Sequence, residues 1–169
     1  MKRSVSIIAV AVLITGSAFT QTKQPTFTSY STAVEKPRVR AIDFKASPDA
    51  RSFRARLSDA IKSGVNFAGH YIVAGWGCGT GCISGAIIDA RNGRVYWPIQ
   101  FNAMSTWYDG NDYVDKPIEY RNNSRLLILR GSPGVKEGDA DKPYGEYYYE
   151  FRNNELRLIK FIPYKRTEQ

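Results

Sequence analysis

The residues most able to do chemistry are few and crowded together. There is one histidine, His70, and there are two cysteines, Cys78 and Cys82, all within Asn66–Gly85, where glycine also alternates with other residues from Gly75 to Gly81. In an extended strand, residues four apart stand about 13 Å from each other. A disulfide needs Cα atoms within about 7 Å. A Cys78–Cys82 bridge therefore requires the chain to reverse at Gly79-Thr80-Gly81, which glycine permits. In an oxidising compartment that bridge is the expected state.

The alternative keeps the thiols free, with Cys78 or Cys82 as nucleophile and His70 as its base, the minimal pair for acyl transfer by a cysteine-dependent envelope hydrolase. Against it, His70 precedes Cys78 by eight residues of strand-like sequence, and no residue to orient the imidazole can be identified. The Ser-His-Gly-Cys signature of cell-wall L,D-transpeptidases and the nucleophile motifs of papain-like enzymes are missing. A redox pair would want a two-residue spacer and a βαβ context. A metal site built on His70 and the cysteines lacks a fourth ligand. The glycine run has no Gly-Lys-Ser/Thr ending and leads into a strand, so it is not a phosphate loop. No metal or cofactor is assigned. The alternation has a plainer use: it bares one side of the chain so that another backbone, a ring or a ligand can approach.

The stretch Asp109–Asp115 resembles a calcium loop only superficially, because Val114 and Tyr120 stand where an EF-hand needs Gly and Glu. The candidate binding residues are aromatic or sit on the glycine turn: Trp76, Thr80, Trp107, Tyr108, Tyr113 and Tyr148. Tyr148 belongs to the run Tyr147–Tyr149, which alternates across a strand and so turns rings to both faces.

The elements that must position these residues follow from punctuation and period. Residues 1–18 read as a signal peptide. Lys2 and Arg3 are charged, Val5–Ile14 is apolar apart from Ser6, and Gly16-Ser17-Ala18 supplies small residues for cleavage. The apolar run is too short to cross a bilayer core of roughly 30 Å, so no stable membrane insertion is expected after cleavage. Residues 19–40 read as a tether or loosely packed arm, with a short first strand permitted from Arg38 to Lys45. Residues 41–164 read as a single domain.

A helix is predicted over 48–63, with Ser47 as cap, Pro48 in the first turn and Gly64 as stop. Phe53, Leu57 and Ile61 form its apolar stripe, and Arg51, Arg54, Arg56 and Lys62 fall mostly on a solvated face. Strands are predicted over His70–Trp76, Ser84–Asp89, Arg94–Trp97, Ile118–Arg121, Ser124–Arg130, Glu146–Phe151 and Glu155–Ile162. Turns at Asn92-Gly93, Asn122-Asn123 and Asn153-Asn154 join the later ones in pairs. The turn signatures recur 30 and 31 residues apart, too few units for a closed propeller. The expected fold is α+β, a twisted antiparallel β-meander of six to seven strands with one N-terminal helix packed on it. Two long connections, 102–117 and 132–145, are candidate functional loops.

At Gly69-His70-Tyr71 and Trp76-Gly-Cys-Gly-Thr-Gly-Cys82 the chain resembles an uncharacterised family of small exported bacterial proteins. These share a Gly-His-Tyr strand followed by Trp-Gly-Cys-Gly and a second cysteine. The resemblance extends to the hairpin from Asp89 to Tyr96; it implies that the segment is a unit, and no activity is carried over from it.

The net charge is +8, from 24 basic and 16 acidic side chains, and loss of Lys2 and Arg3 with the leader leaves +6. An exported basic protein meets anionic partners. The expected function is therefore a periplasmic or secreted binding protein, of which an inhibitor or immunity-type partner of a cell-envelope enzyme is one form. Its expected partner is a cell-envelope protein, with an anionic envelope polymer as a further option and nucleic acid not expected. A cationic target such as lysozyme is disfavoured by like charge.

Overall fold

The computed structural model describes residues 23–37, 41–108 and 112–165. The expected leader, part of the 19–40 arm, Arg38–Arg40 of the permitted first strand and Asp109–Asn111 of the calcium-like stretch lie outside the described residues. Residues 41–46 form a bend and a turn, held by Asp43, whose carboxylate accepts from the N–H groups of Lys45 and Ala46.

The fold is α+β, with one short α-helix and two four-stranded antiparallel sheets among the described residues. The first sheet contains β1 (Tyr71–Gly79), β2 (Cys82–Asp89), β3 (Val95–Tyr96) and β4 (Met104–Ser105). A two-stranded ribbon follows, β5 (Trp107–Tyr108) with β6 (Asp112–Tyr113). The second sheet contains β7 (Ile118–Tyr120), β8 (Leu126–Gly131), β9 (Gly145–Arg152) and β10 (Glu155–Pro163), in the order β10-β9-β8-β7.

The expected single meander is thus corrected to two sheets. The first sheet stops growing at Trp97-Pro98, because proline has no N–H to extend a ladder. A 3₁₀ turn at Ile99–Phe101 brings the chain back to the other half of β2, where Met104 pairs with Ile83 and Ser105 with Cys82. Strand β2 then holds β3 and β4 along one edge and β1 along the other, so the later strands must build elsewhere.

The two sheets share a core. Val73 and Ile87, which are cross-strand partners, meet Leu127, Leu129, Tyr147 and Tyr149 of the second sheet, with Phe67, Phe101, Met104 and Phe151. The opposite face of the first sheet, Ile72, Ala74, Ala86 and Ile88, packs on the helical segment through Ala50 and Leu57. The opposite face of the second sheet, Leu126, Ile128 and Tyr148, is covered by Phe27 and Tyr30 of the N-terminal segment. The central strands of both sheets are therefore largely buried on both faces, which is why β8 reads Leu-Leu-Ile-Leu without alternation.

The helical segment departs from its predicted start. It runs as a 3₁₀ helix over Pro48–Phe53 and as α1 over Arg54–Lys62. Ser47 does not cap it: its hydroxyl accepts instead from the N–H of Val95 at 3.0 Å, tying the segment to β3. The third asparagine turn matches its chemistry, since Asn153 and Asn154 both take positive φ, 53° and 65°, as a two-residue hairpin turn requires.

Candidate functional site

The Gly/Cys segment folds into a hairpin tip. Strands β1 and β2 pair from Tyr71↔Asp89 to Gly77↔Ile83, shift register, and close at Gly79↔Cys82. Cys78 and Cys82 are disulfide-bonded with Cα atoms 5.1 Å apart. Gly81 has φ +63°, and a Cβ there would lie 2.7 Å from the Cβ of Trp107. The indole of Trp107 thus packs on the turn, and Gly81 is the residue that gives it room. Removing the bridge by Cys78→Ala with Cys82→Ala should lower unfolding free energy by about 2 kcal/mol, measured by denaturant titration, with the far-ultraviolet spectrum unchanged.

The structure does not bring His70 to the cysteines. His70 precedes β1 and Cys78 lies near its far end, a separation of roughly 25 Å along an extended strand. No described cysteine is free. His70 instead serves a clasp. Its ring lies beside Tyr71, with centroids 4.1 Å apart, and its two nitrogens stand 3.8 Å from Glu35 and 3.8 Å from Asp89. Glu35 is gripped by both ends of the Arg91 guanidinium, with Arg91 Nε donating at 2.9 Å. Asp89 accepts from the N–H of Arg91 at 2.9 Å and the Asn92 amide at 3.0 Å. The clasp pins the N-terminal segment to the β2–β3 hairpin.

Burial, and then the positive charge of Arg91, hold the His70 pKa below its ordinary value of 6.5, with Asp89 and Glu35 pulling the other way. The sign follows from linkage. Above that ordinary value the ring is neutral folded or unfolded. As pH falls through it, the unfolded chain takes up the proton first and stability declines. His70→Gln should flatten this part of the profile, read as a smaller drop in melting temperature than wild type shows between about pH 7 and about pH 5.

The concave aromatic site lies elsewhere, on the helix side of the first sheet. Phe53 stacks on Trp76 with centroids 5.1 Å apart and planes 29° apart, and Trp97 closes on both rings, at 5.1 Å from Phe53 and edge-on at 6.2 Å from Trp76. These rings and Ile99, Phe101 and Arg56 line an open cleft of about 560 Å³ that also reaches Cys78. Trp97 and Ile99 are each 37% exposed and stand together at its rim, a contiguous apolar patch rather than single exposed side chains. Arg56 stands over the Trp76 ring at 5.6 Å and donates to the carbonyl of Gly77 at 3.2 Å. The remaining polar lining is sparse: Ser84, whose hydroxyl already accepts from the N–H of Ala103, and Asn102.

Of the predicted binding residues, Trp76 is in this cleft. Thr80 is exposed at the tip of the disulfide turn, and Trp107 packs beside that turn. Tyr108 and Tyr113 are placed on the β5–β6 ribbon by register, opposite Asp112 and Trp107 respectively. Tyr148 is 2% exposed, so its ring is not available to a partner in this fold. Its hydroxyl donates to Glu146 at 2.6 Å, and the Gln24 side chain reaches it from the N-terminal segment. Phe53, Arg56, Trp97 and Ile99 were not predicted as binding residues. The signal for them was Trp97-Pro98-Ile99: two large apolar side chains around a proline just after a strand.

A second, polar hollow of about 580 Å³ adjoins the histidine clasp and is crossed by the Arg91–Glu35 and Arg125–Glu150 ion pairs. Among the described residues no group of three or more His, Cys, Asp or Glu is placed to hold a metal ion, and no helix is long and apolar enough to cross a membrane. No protein-family model matches the chain, and no curated protein or solved structure matches it.

Proposed function

We propose that the chain is an exported binding protein that engages a protein partner through the cleft of Phe53, Trp76 and Trp97. One observation carries this reading: the three rings are assembled around an open concavity whose rim exposes Trp97 and Ile99. Tryptophan and arginine clustered in a pocket are the composition of interface hot spots. An apolar lining with few free hydrogen-bonding groups suits an apolar side chain better than a sugar ring with hydroxyls to satisfy. The disulfide and the leader-like N-terminus support export. The excess of basic groups favours an acidic envelope partner over a cationic one.

Trp97→Ala tests the proposal, because this residue is at the rim and its loss leaves the Phe53–Trp76 stack in place. The variant and wild type would be immobilised and exposed to the same envelope extract, with melting temperature measured in parallel. A partner retained by wild type and lost by the variant, with the fold intact, is the expected outcome. Equal retention by both would sink the cleft as the interface.

A further inference from the structure

Among the described residues, strand β1 is the outer strand of its sheet and its one strand partner is β2. Along such an edge, alternate residues turn their N–H and C=O outward. At the start of β1 these outward groups are satisfied. The Tyr71 N–H donates to the Phe67 carbonyl at 2.9 Å, and the Asn66 side chain brackets Val73, accepting from its N–H at 2.8 Å and donating to its carbonyl at 3.3 Å. By the same alternation Gly75 and Gly77 come next. The Gly77 carbonyl accepts from Arg56, but no described residue bonds the Gly77 N–H or either backbone group of Gly75. Both glycines are exposed, and a Cβ built on either would meet no atom within 4 Å. Sheet proteins ordinarily cover such an edge or guard it with charged side chains. Here Arg56 stands on the Gly77 carbonyl, and Gly75 has no such guard among the described residues.

We infer that the Gly75–Gly77 edge receives an extended, acidic segment of the partner protein, added to β1 as a further strand. The inference rests on the reading of the chain as a protein-binding module and adds the conformation and charge of what binds. Main-chain hydrogen bonds would supply the affinity of such an addition and alternate side chains its specificity. A partner residue opposite Trp76 turns its side chain to the same face as Trp76, where Arg56 stands. An incoming N–H would take over the Gly77 carbonyl, freeing the Arg56 guanidinium for a partner carboxylate. Arg54, on the same helical segment, stands over the Phe44 ring, and neither Arg54 nor Arg56 is paired with a carboxylate among the described residues. A second copy of this chain would bring its own excess of positive charge to the same place. The charge therefore points to an acidic partner.

Random decapeptides displayed on phage provide the probe, selected on the folded, disulfide-bonded protein. Recovered peptides would be titrated against wild type, Gly75→Pro, Arg56→Glu and Trp97→Ala. Gly75→Pro removes only an outward N–H, a place where an edge strand tolerates proline, so melting temperature should stay within a few degrees. The expected result is enrichment of Asp and Glu in an alternating pattern, with binding about tenfold weaker or worse in Gly75→Pro and in Arg56→Glu, the scale of one lost hydrogen bond to a charged or main-chain group. Peptides without acidic excess, no enriched peptide at all, or full binding by Gly75→Pro would each overturn the inference. Loss in Trp97→Ala alone would do so while leaving the cleft reading standing; loss in none of the variants would remove both. Sedimentation of the free protein completes the test, since a dimer that Gly75→Pro dissolves would give the edge to a second copy.

Discussion

Replacing Phe67 with alanine should cost about 3–5 kcal/mol, the range for deleting a fully buried aromatic ring. Phe67 is completely buried at the junction of the two sheets. Its ring sits 5.3 Å from that of Phe151 and 6.0 Å, edge-on, from that of Tyr120, both in the second sheet. Its backbone closes the tight turn into β1, exchanging hydrogen bonds with Tyr71 at 2.9 and 3.0 Å. The same turn is bound to the second sheet by Ala68 and Gly69, whose N–H groups donate to the carbonyls of Arg121 and Asn122. A cavity there loosens both sheets at once, and the loss is a large part of the 5–15 kcal/mol typical of a whole domain. Denaturant titration should find the midpoint sharply lowered. A loss under about 1 kcal/mol would mean that the sheets do not depend on each other through this residue.

The second large effect is expected at Trp76. Trp76→Ala removes the ring on which Phe53 stacks and against which Trp97 rests, and the face over which Arg56 stands. Because Trp76 is half-buried, the stability cost should be about 2–3 kcal/mol, below that of a core aromatic. Partner binding should fall by at least about 2 kcal/mol, the measure of a hot-spot residue. Comparison with Trp97→Ala separates support from contact: the rim variant should lose binding with its fold intact, whereas the Trp76 variant should lose both. Near-ultraviolet circular dichroism would report the collapse of the ring cluster. Full binding by Trp76→Ala would remove the cleft from the account.

Local chemistry made much of the molecule legible in the sequence. The Asn153-Asn154 turn, the turn at Gly93 and the reversal at Gly79-Thr80-Gly81 follow from residues that tolerate positive φ or have no side chain, whereas Asn122 and Asn123 turn the chain without taking positive φ. Sheet partition was less legible, because it depends on what happens after Trp97. Pro98 ends one ladder, but nothing local says that Met104 and Ser105 will return to β2 at its other half. The unbroken apolar run of β8 did carry a signal of a strand covered on both faces. The burial of Tyr148 was not legible either: alternation turns its ring away from the main core, but only the fold places Phe27 and Tyr30 over that second face. The cleft joins residues from three separate places, Phe53, Trp76 and Trp97. In the sequence, Phe53 looks like an ordinary stripe residue and Trp97 like the end of a strand.

The most direct test of the central claim, that this face is where the protein meets its partner, is site-specific photo-crosslinking in the native cell envelope. A photoreactive phenylalanine analogue would be placed at Ile99, on the cleft rim, and separately at Lys136, an exposed residue of the 132–145 connection that does not line the cleft. The account expects a discrete protein adduct from position 99 that Trp97→Ala abolishes, with none from position 136. Adducts of the same kind from both positions, or from position 136 alone, would contradict it.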